Sequence, residues 1–218
     1  MQLKTFTKFP KSLTVGGKQA LYFFNTIPHG QITLKKNADL TLICLATEGW
    51  PDLHNFIINA KERGAKCECI FFILGKNNNS FSAKIEARHS APHTKIRIMV
   101  RAGLTDRASC HIEGDCRIEK NARGASTYFS HHTLLLSDEA KAKTSPNLEI
   151  KTDDVKAGHS ASVGKIDEDA IFYLCSRGLS EAHARSLLVQ GFFEAELANI
   201  PDTTIQDAIR TAVNNFLG

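Results

Sequence analysis

From about residue 31 to residue 160, apolar and polar residues alternate one by one. In FSAKIEAR, Phe81, Ala83, Ile85 and Ala87 fall on one side and Ser82, Lys84, Glu86 and Arg88 on the other. CHIEGDCRIE repeats the pattern, setting Cys110, Ile112, Gly114, Cys116 and Ile118 against His111, Glu113, Asp115, Arg117 and Glu119. Successive side chains of a strand point to opposite faces, so this alternation predicts half-buried strands. The Gly114-Asp115 pair suits a tight hairpin. A turn there would put Ile112 and Arg117 on one face, so a continuous or bulged strand is predicted instead. ITL, DLTLICLA, CECIFFIL, KIRIMV, HTLLLS and NLEIK supply further strands.

A loose recurrence separates these strands: KNARGA from 120, DEAKAK from 138 and DDVKAG from 153, with DRAS from 106 as a weaker copy. Their central residues, Ala108, Ala122, Ala140 and Val155, follow one another at steps of 14, 18 and 15. Short strands returning at near-regular intervals, with no helical segment between them, predict a coiled parallel sheet or a sandwich.

After Lys165 the period becomes helical. Asp167 is placed to cap a first helix carrying Ala170, Ile171 and Leu174, with Glu168 and Asp169 in its dipole-favoured first turn. Arg177-Gly178 is expected to close it with a basic last turn and a terminal glycine. Ser180 starts a second helix with Leu187, Leu188, Phe192 and Leu197 as its apolar side, stopped by Pro201. Thr203 with Gln206 reads as a capping box for a third, carrying Ile205, Ala208, Ile209, Ala212, Val213 and Phe216. The expected organisation is a β unit over 1–165 and a helical segment over 166–218.

Composition narrows the function classes. The chain has 218 residues, with 42% hydrophobic and 23% charged residues and a formal charge of +4. It has no basic block or aromatic-interleaved basic stripe, so nothing points to nucleic acid. The longest apolar run, CIFFIL, is far too short to span a bilayer, and the N-terminal stretch lacks the apolar core of a signal peptide. The six cysteines form no CxxC. A soluble protein of a reducing compartment, the cytoplasm, is expected.

Residue chemistry alone offers few sites. Cys110 and Cys116 share the Ile-bearing face while His111 takes the other, so both thiols are expected to pack as small hydrophobes. Cys67 and Cys69 also share a face, and Cys175 belongs to helix packing. His131 and His132 point oppositely, one packed and one solvated. Asp153-Asp154 reads as a solvated turn. His159 differs: its neighbours Ala157, Gly158, Ser160 and Ala161 are all small, leaving room beside the imidazole. By itself it still reads as a hydrogen-bonded structural histidine. No nucleophile elbow, P-loop or HExxH is present, so no enzyme is indicated.

The ordered set LLLS with Ala140, P-x-LEI (Pro146 to Ile150), DDVK (Asp153 to Lys156), the His159 segment, G-x-I-D-E (Gly164 to Glu168), FYL-x-SRG (Phe172 to Gly178) and the helix EAHARSLLVQGFF resembles the core of the SufB/SufD family. These are scaffold proteins of the Suf iron–sulfur cluster assembly system. IEGDCRIEKNARGAS extends the likeness upstream, so it runs from roughly residue 85 to the C-terminus.

The resemblance implies a right-handed parallel β-helix followed by a helical segment that docks on a Suf-type ABC ATPase. It implies pairing with a second SufB/SufD-type scaffold or with itself, as a dimer, and no enzyme activity. His159 matches the histidine that SufD-type members place at the pair interface, making it the candidate iron or cluster-assembly residue. Phe172, Tyr173, Arg177, Gly178, Leu187 and Phe192 match the ATPase-docking surface. Iron or a cluster is expected only in passage, with no tightly bound cofactor.

Two departures mark the chain as SufD-like rather than SufB-like, and a third sets it apart from many SufD-type members. Ala140 stands where SufB-type members carry a cysteine, Ser160 where they carry glutamate, and Ala157 where many SufD-type members carry cysteine. Relative to the usual scaffolds, a shortened β-helix without their long N-terminal region is expected. An ATPase-binding or regulatory variant without cluster chemistry is the second reading, and a β-helix enzyme the third.

Overall fold

In the computed structural model, residues 2–6, 10–25 and 29–218 are described. Residues 1, 7–9 and 26–28 of the expected β unit lie outside them. The strands are β1 (Gln2–Phe6), β2 (Ser12–Val15), β3 (Lys18–Phe24), β4 (Gly30–Leu34), β5 (Asp39–Ala46), β6 (Trp50–Ala60), β7 (Lys66–Gly75), β8 (Ser80–His89), β9 (Lys95–Leu104), β10 (Ser109–Ile118), β11 (Ala125–Leu135), β12 (Lys141–Ile150) and β13 (Val155–Lys165). Helices α1 (Glu168–Ser176), α2 (Glu181–Leu197) and α3 (Thr203–Leu217) follow.

Odd-numbered strands form one sheet, in the order β1-β3-β5-β7-β9-β11-β13, and even-numbered strands the other, β12-β10-β8-β6-β4-β2. Every pairing is parallel, as between β7 and β9 and between β8 and β10. The chain therefore alternates between two facing sheets and winds as a parallel β-solenoid. The register steps by 29 residues from Lys66 to Lys95 and by 30 from Ala125 to Val155. The recurrence in the sequence marks half-turns: Ala108, Ala122 and Ala140 are buried at successive corners. At two of them the alanine N–H closes a tight turn, Ala108 onto the Thr105 carbonyl at 3.1 Å and Ala122 onto the Glu119 carbonyl at 2.9 Å. Asn37, Asn77 and Asp106 hold the left-handed backbone that corners require and that short polar side chains tolerate.

The alternating faces are as expected. Phe81, Ala83, Ile85, Ala87, Cys110, Ile112 and Cys116 all enter one core between the sheets. Strand β10 runs unbroken through Gly114-Asp115. Gly114 is there because a β-carbon would lie 2.5 Å from the Phe129 ring across the core.

A second core forms where the helices cover the outer face of the odd-strand sheet. Ile43, Leu45, Ile70, Phe72, Leu74 and Met99 meet Val189, Phe193, Leu197, Ile209, Val213 and Phe216 there. This explains the nearly continuous apolar runs LICLA and CIFFILG: β5 and β7 are buried on both faces.

Asp167 and Ser180 cap α1 and α2, and Gly178 follows α1 at φ +98°. Arg177 is the C-cap of α1 and lies outside its last turn. The buried side of α2 is centred on Ala184, Val189 and Phe193; Leu197 is buried as expected, Leu188 and Phe192 are half-buried against the same core, and Leu187 is exposed. Asp202, one residue earlier than expected, caps α3, while Gln206 donates to the Ile200 carbonyl at 2.6 Å. Among the described residues, no helix is long and apolar enough to cross a membrane.

Candidate functional site

His159 lies in β13, the last strand of the odd-strand sheet, which has a neighbour on one side only. Its register partner is Phe129 of β11. In a parallel pair, partners point to the same face, so His159 lies in the column of side chains that fills the core one turn earlier. Among the described residues, no further strand pairs with β13 to close that column above it. Phe129 is 1% exposed, whereas His159, Ala157 and Ala161 are exposed. Among the described residues His159 makes no hydrogen bond or ion pair, so the hydrogen-bonded structural reading fails. Strand β12 ends the other sheet at the same end of the solenoid. The open end therefore presents two strand edges and apolar side chains, including Ile150 at 44% and Val163 at 41% exposure. Unpaired strand edges of this kind template pairing with another chain.

The opposite face of β13 is fastened down. His132 of β11 has both ring nitrogens engaged, Nδ1 with Ser162 Oγ at 2.7 Å and Nε2 with Ser160 Oγ at 3.2 Å. Burial first, then the Arg101 guanidinium, lowers its pKa. Ser160 thus belongs to the framework. Its neighbour His131 points into the core, fully buried, with Nε2 3.0 Å from Thr133 Oγ1 and Nδ1 without a partner. Burial drives His131 down to about 4 and keeps it neutral. The two histidines take opposite faces as expected, although His132 is half-buried and hydrogen-bonded where solvation was expected.

Among the described residues, no cysteine stands in β12 or β13. Ala140 is 5% exposed and closes a corner of the core. Cys110 and Cys116 are buried on the inner face, and burial pushes the Cys110 thiol up to about 12. Cys67 and Cys69 sit with their sulfurs 3.7 Å apart in the same dry interior. Among the described residues, no group of three histidine, cysteine or acidic side chains is arranged to hold a metal ion. Strands β12 and β13 thus offer one imidazole, that of His159, well short of the four-ligand shell an iron–sulfur cluster takes.

The helical residues divide into two sets. Phe172 is 76% exposed and Tyr173 57% exposed, with the Arg177 guanidinium 5.2 Å from the Tyr173 ring centre. Leu187 is also exposed. Phe192 instead belongs to the helix–sheet contact: it packs edge-on to Phe193 at 5.1 Å and lies under the Arg101 guanidinium at 5.0 Å. Arg101 also donates to Glu196 at 3.0 Å, a nearly buried pair joining β9 to α2. Sequence reading passed over this pair. Its one signal was an acidic residue standing beside Leu197 on the buried side of α2.

The SufBD core domain of the SUF iron–sulfur cluster assembly system matches residues 24–192, well upstream of residue 85. An iron–sulfur cluster assembly SufBD family protein of Mycobacterium bovis is 32% identical over 162 residues, 71% of this chain and 41% of the relative. Relatives so named from Synechocystis and Staphylococcus saprophyticus are 28% and 30% identical, over 74% and 63% of this chain and 36% and 30% of theirs. The chain thus spans less than half the length of these relatives.

Proposed function

Because the chain belongs to the SufB/SufD family, we propose that it is a SufD-like, non-enzymatic scaffold in iron–sulfur cluster assembly. It works through two separate surfaces. The open end of the solenoid pairs with a second SufB/SufD-type scaffold or a second copy of itself. The helical segment docks a Suf-type ABC ATPase. The observation that carries this reading is the contrast within one sheet: β11 is sealed, and β13, in register with it, leaves His159 and its small neighbours exposed.

Pairing at β13 would bring a second chain's side chains to His159 and supply the ligands that one chain lacks. Iron or a nascent cluster is cargo held at that seam. The small residues on either side let a partner approach the imidazole closely. Exposed aromatics are frequent binding anchors, and Phe172 and Tyr173 supply them for the ATPase. Six free cysteines, five of them buried, fit a reducing cytoplasm.

The second reading is an ATPase-binding module without cluster chemistry. Ala140, Ala157 and Ser160 favour it, since none supplies a thiolate or carboxylate at the open end. Anaerobic reconstitution with iron and sulfide, on the paired complex, separates the two. A cluster spectrum lost in His159→Ala supports the scaffold reading, and no cluster at all supports the module. A hydrolase reading has little to stand on. The serine–histidine contact at His132 spends both ring nitrogens on serines, and no carboxylate orients the ring.

The docking surface is tested by binding to a Suf-type ATPase. Phe172→Asp and Tyr173→Asp should each weaken binding by at least about tenfold, the scale of an interface anchor, with thermal stability unchanged. Unaltered affinity in both variants contradicts the docking assignment.

A further inference from the structure

The outer face of the even-strand sheet carries a pattern that the scaffold reading does not use. Over most of this face, cations are matched by carboxylates. Lys84 pairs with Asp115 at 2.7 Å, Arg88 with Glu86 at 2.5 Å, Arg117 with Glu149 at 3.4 Å and Lys151 with Glu119 at 3.1 Å. Burial would raise the Asp115 carboxyl, but hydrogen bonds from Lys84 and Asn147 outweigh it and hold the group below its usual range.

At the start of β8, β10 and β12 the matching stops. Two rows cross the three strands in register: Ser80, Ser109 and Lys141, then Ser82, His111 and Lys143. They border a groove of ≈ 410 Å³. Lys141 and Lys143 are exposed and make no ion pair or hydrogen bond among the described residues. Ser109 Oγ donates to Ser80 Oγ at 3.2 Å. The carboxylates nearby are those of Glu113, 3.8 Å from His111 Nε2, and of Glu139, which faces Arg107 at 4.0 Å. His111 Nε2 is buried without a hydrogen-bond partner.

We propose that this groove is a phosphate-binding site, for inorganic phosphate or for the phosphomonoester of a small molecule. Alternate residues on one strand lie about 6.6 Å apart, so Lys141 and Lys143 can bracket one tetrahedral dianion from the sheet edge. The hydroxyls of Ser80 and Ser82 line the floor as neutral donors, and Ser109, whose own proton goes to Ser80 Oγ, orients the Ser80 hydroxyl toward the groove. A phosphate suits this set better than a carboxylate, because it has acceptor oxygens for both ammonium groups and for the hydroxyls at once. The floor is rigid, since it is three paired strands, so the donors are held in place before the anion arrives.

The test is a backbone-amide NMR titration of the full chain with sodium phosphate, at ionic strength held constant with sodium chloride. Saturable shifts centred on Ser80, Ser109, His111 and Lys141 are expected. The double variant Lys141→Gln, Lys143→Gln should bind at least about tenfold more weakly, as loss of two charge-assisted contacts requires. Adenosine monophosphate in place of phosphate identifies the source: tighter binding assigns the site to a phosphomonoester, equal binding to free phosphate. Shifts that grow linearly without saturating, that chloride reproduces, or that persist in the double variant overturn the site.

Discussion

Strands β11 and β13 are neighbours in one parallel sheet, matched residue for residue from Ala125 and Val155 onward. Their inner faces have different fates. In β11, Ala125, Thr127, Phe129, His131 and Thr133 are all 3% exposed or less. In β13, the matching Val155, Ala157, His159, Ala161 and Val163 are half-buried or exposed. The backbone is the same and so is the register; the difference is the next turn, which covers one strand and is missing over the other. A solenoid turn cannot bury its own inner face, because only a stacked neighbour does so. The last turn is therefore where the fold leaves sites free, and this chain spends alanine, glycine and serine there instead of leucine and isoleucine.

If β11 carries the stability and β13 the function, equivalent changes in the two must behave differently. The largest effect is expected from Phe129→Ala, about 3–5 kcal/mol of unfolding free energy lost in a denaturant titration, as for other buried aromatics. A loss below about 1 kcal/mol would mean that the core collapses around the gap and the contrast is overstated.

Acid comes next. Burial lowers His89 and His131 to about 4, against 6.5 for an unfolded imidazole. Between these values the unfolded chain binds more protons than the folded one. Their contribution is complete above pH 6.5 and declines as pH falls to 4, by about 3 kcal/mol per histidine. Thr94 donates its hydroxyl proton to the Ala91 carbonyl, so its oxygen accepts from His89 Nδ1–H, which fixes the neutral tautomer. Stability measured across that window should flatten in His131→Asn, and an unchanged slope would show that His131 is not protected from protonation.

Glycines sharpen the comparison further. Gly114→Ala forces a methyl against the Phe129 ring and should cost about 1–3 kcal/mol, the usual range for overpacking. At Gly158 in β13, the added carbon meets Tyr128 at 3.4 Å, an ordinary contact, and stability should stay within about 0.5 kcal/mol of the parent. Equal losses at both sites would erase the distinction. His159→Ala sits at the bottom of the scale, with a change in melting temperature within experimental error expected. A drop of several degrees would return that side chain to a structural role.

Much of this architecture is legible in the residues, and the illegible parts have physical reasons. Strong alternation exposes β8 and β10, and the two buried carboxylates on their polar faces, Glu86 and Asp115, are paired there with Arg88 and Lys84. In β13 the alternation is muted: AGHSAS offers no large apolar residue to mark a face, so no strand is predicted there. Strand β6 escaped for a similar reason, its one marked face being confined to Phe56, Ile58 and Ala60. The helical phase of α2 is only partly legible because Leu187, Leu188, Phe192 and Phe193 place apolar groups nearly all around the helix. Only the sheet beneath selects Val189 and Phe193. The exposure of His159 was beyond local reading altogether, since a small-residue strand has one pattern whether a further turn covers it or not. Its candidacy came from family resemblance, and its openness from topology.

The most direct measurement is the mass in solution of the complex formed with a Suf-type ATPase. Two scaffold chains and two ATPase chains are predicted. His159→Ala should leave that mass unchanged, and Phe172→Asp should reduce it to the scaffold pair. A folded chain that remains at 24.0 kDa beside the ATPase, neither pairing nor docking, would contradict the account.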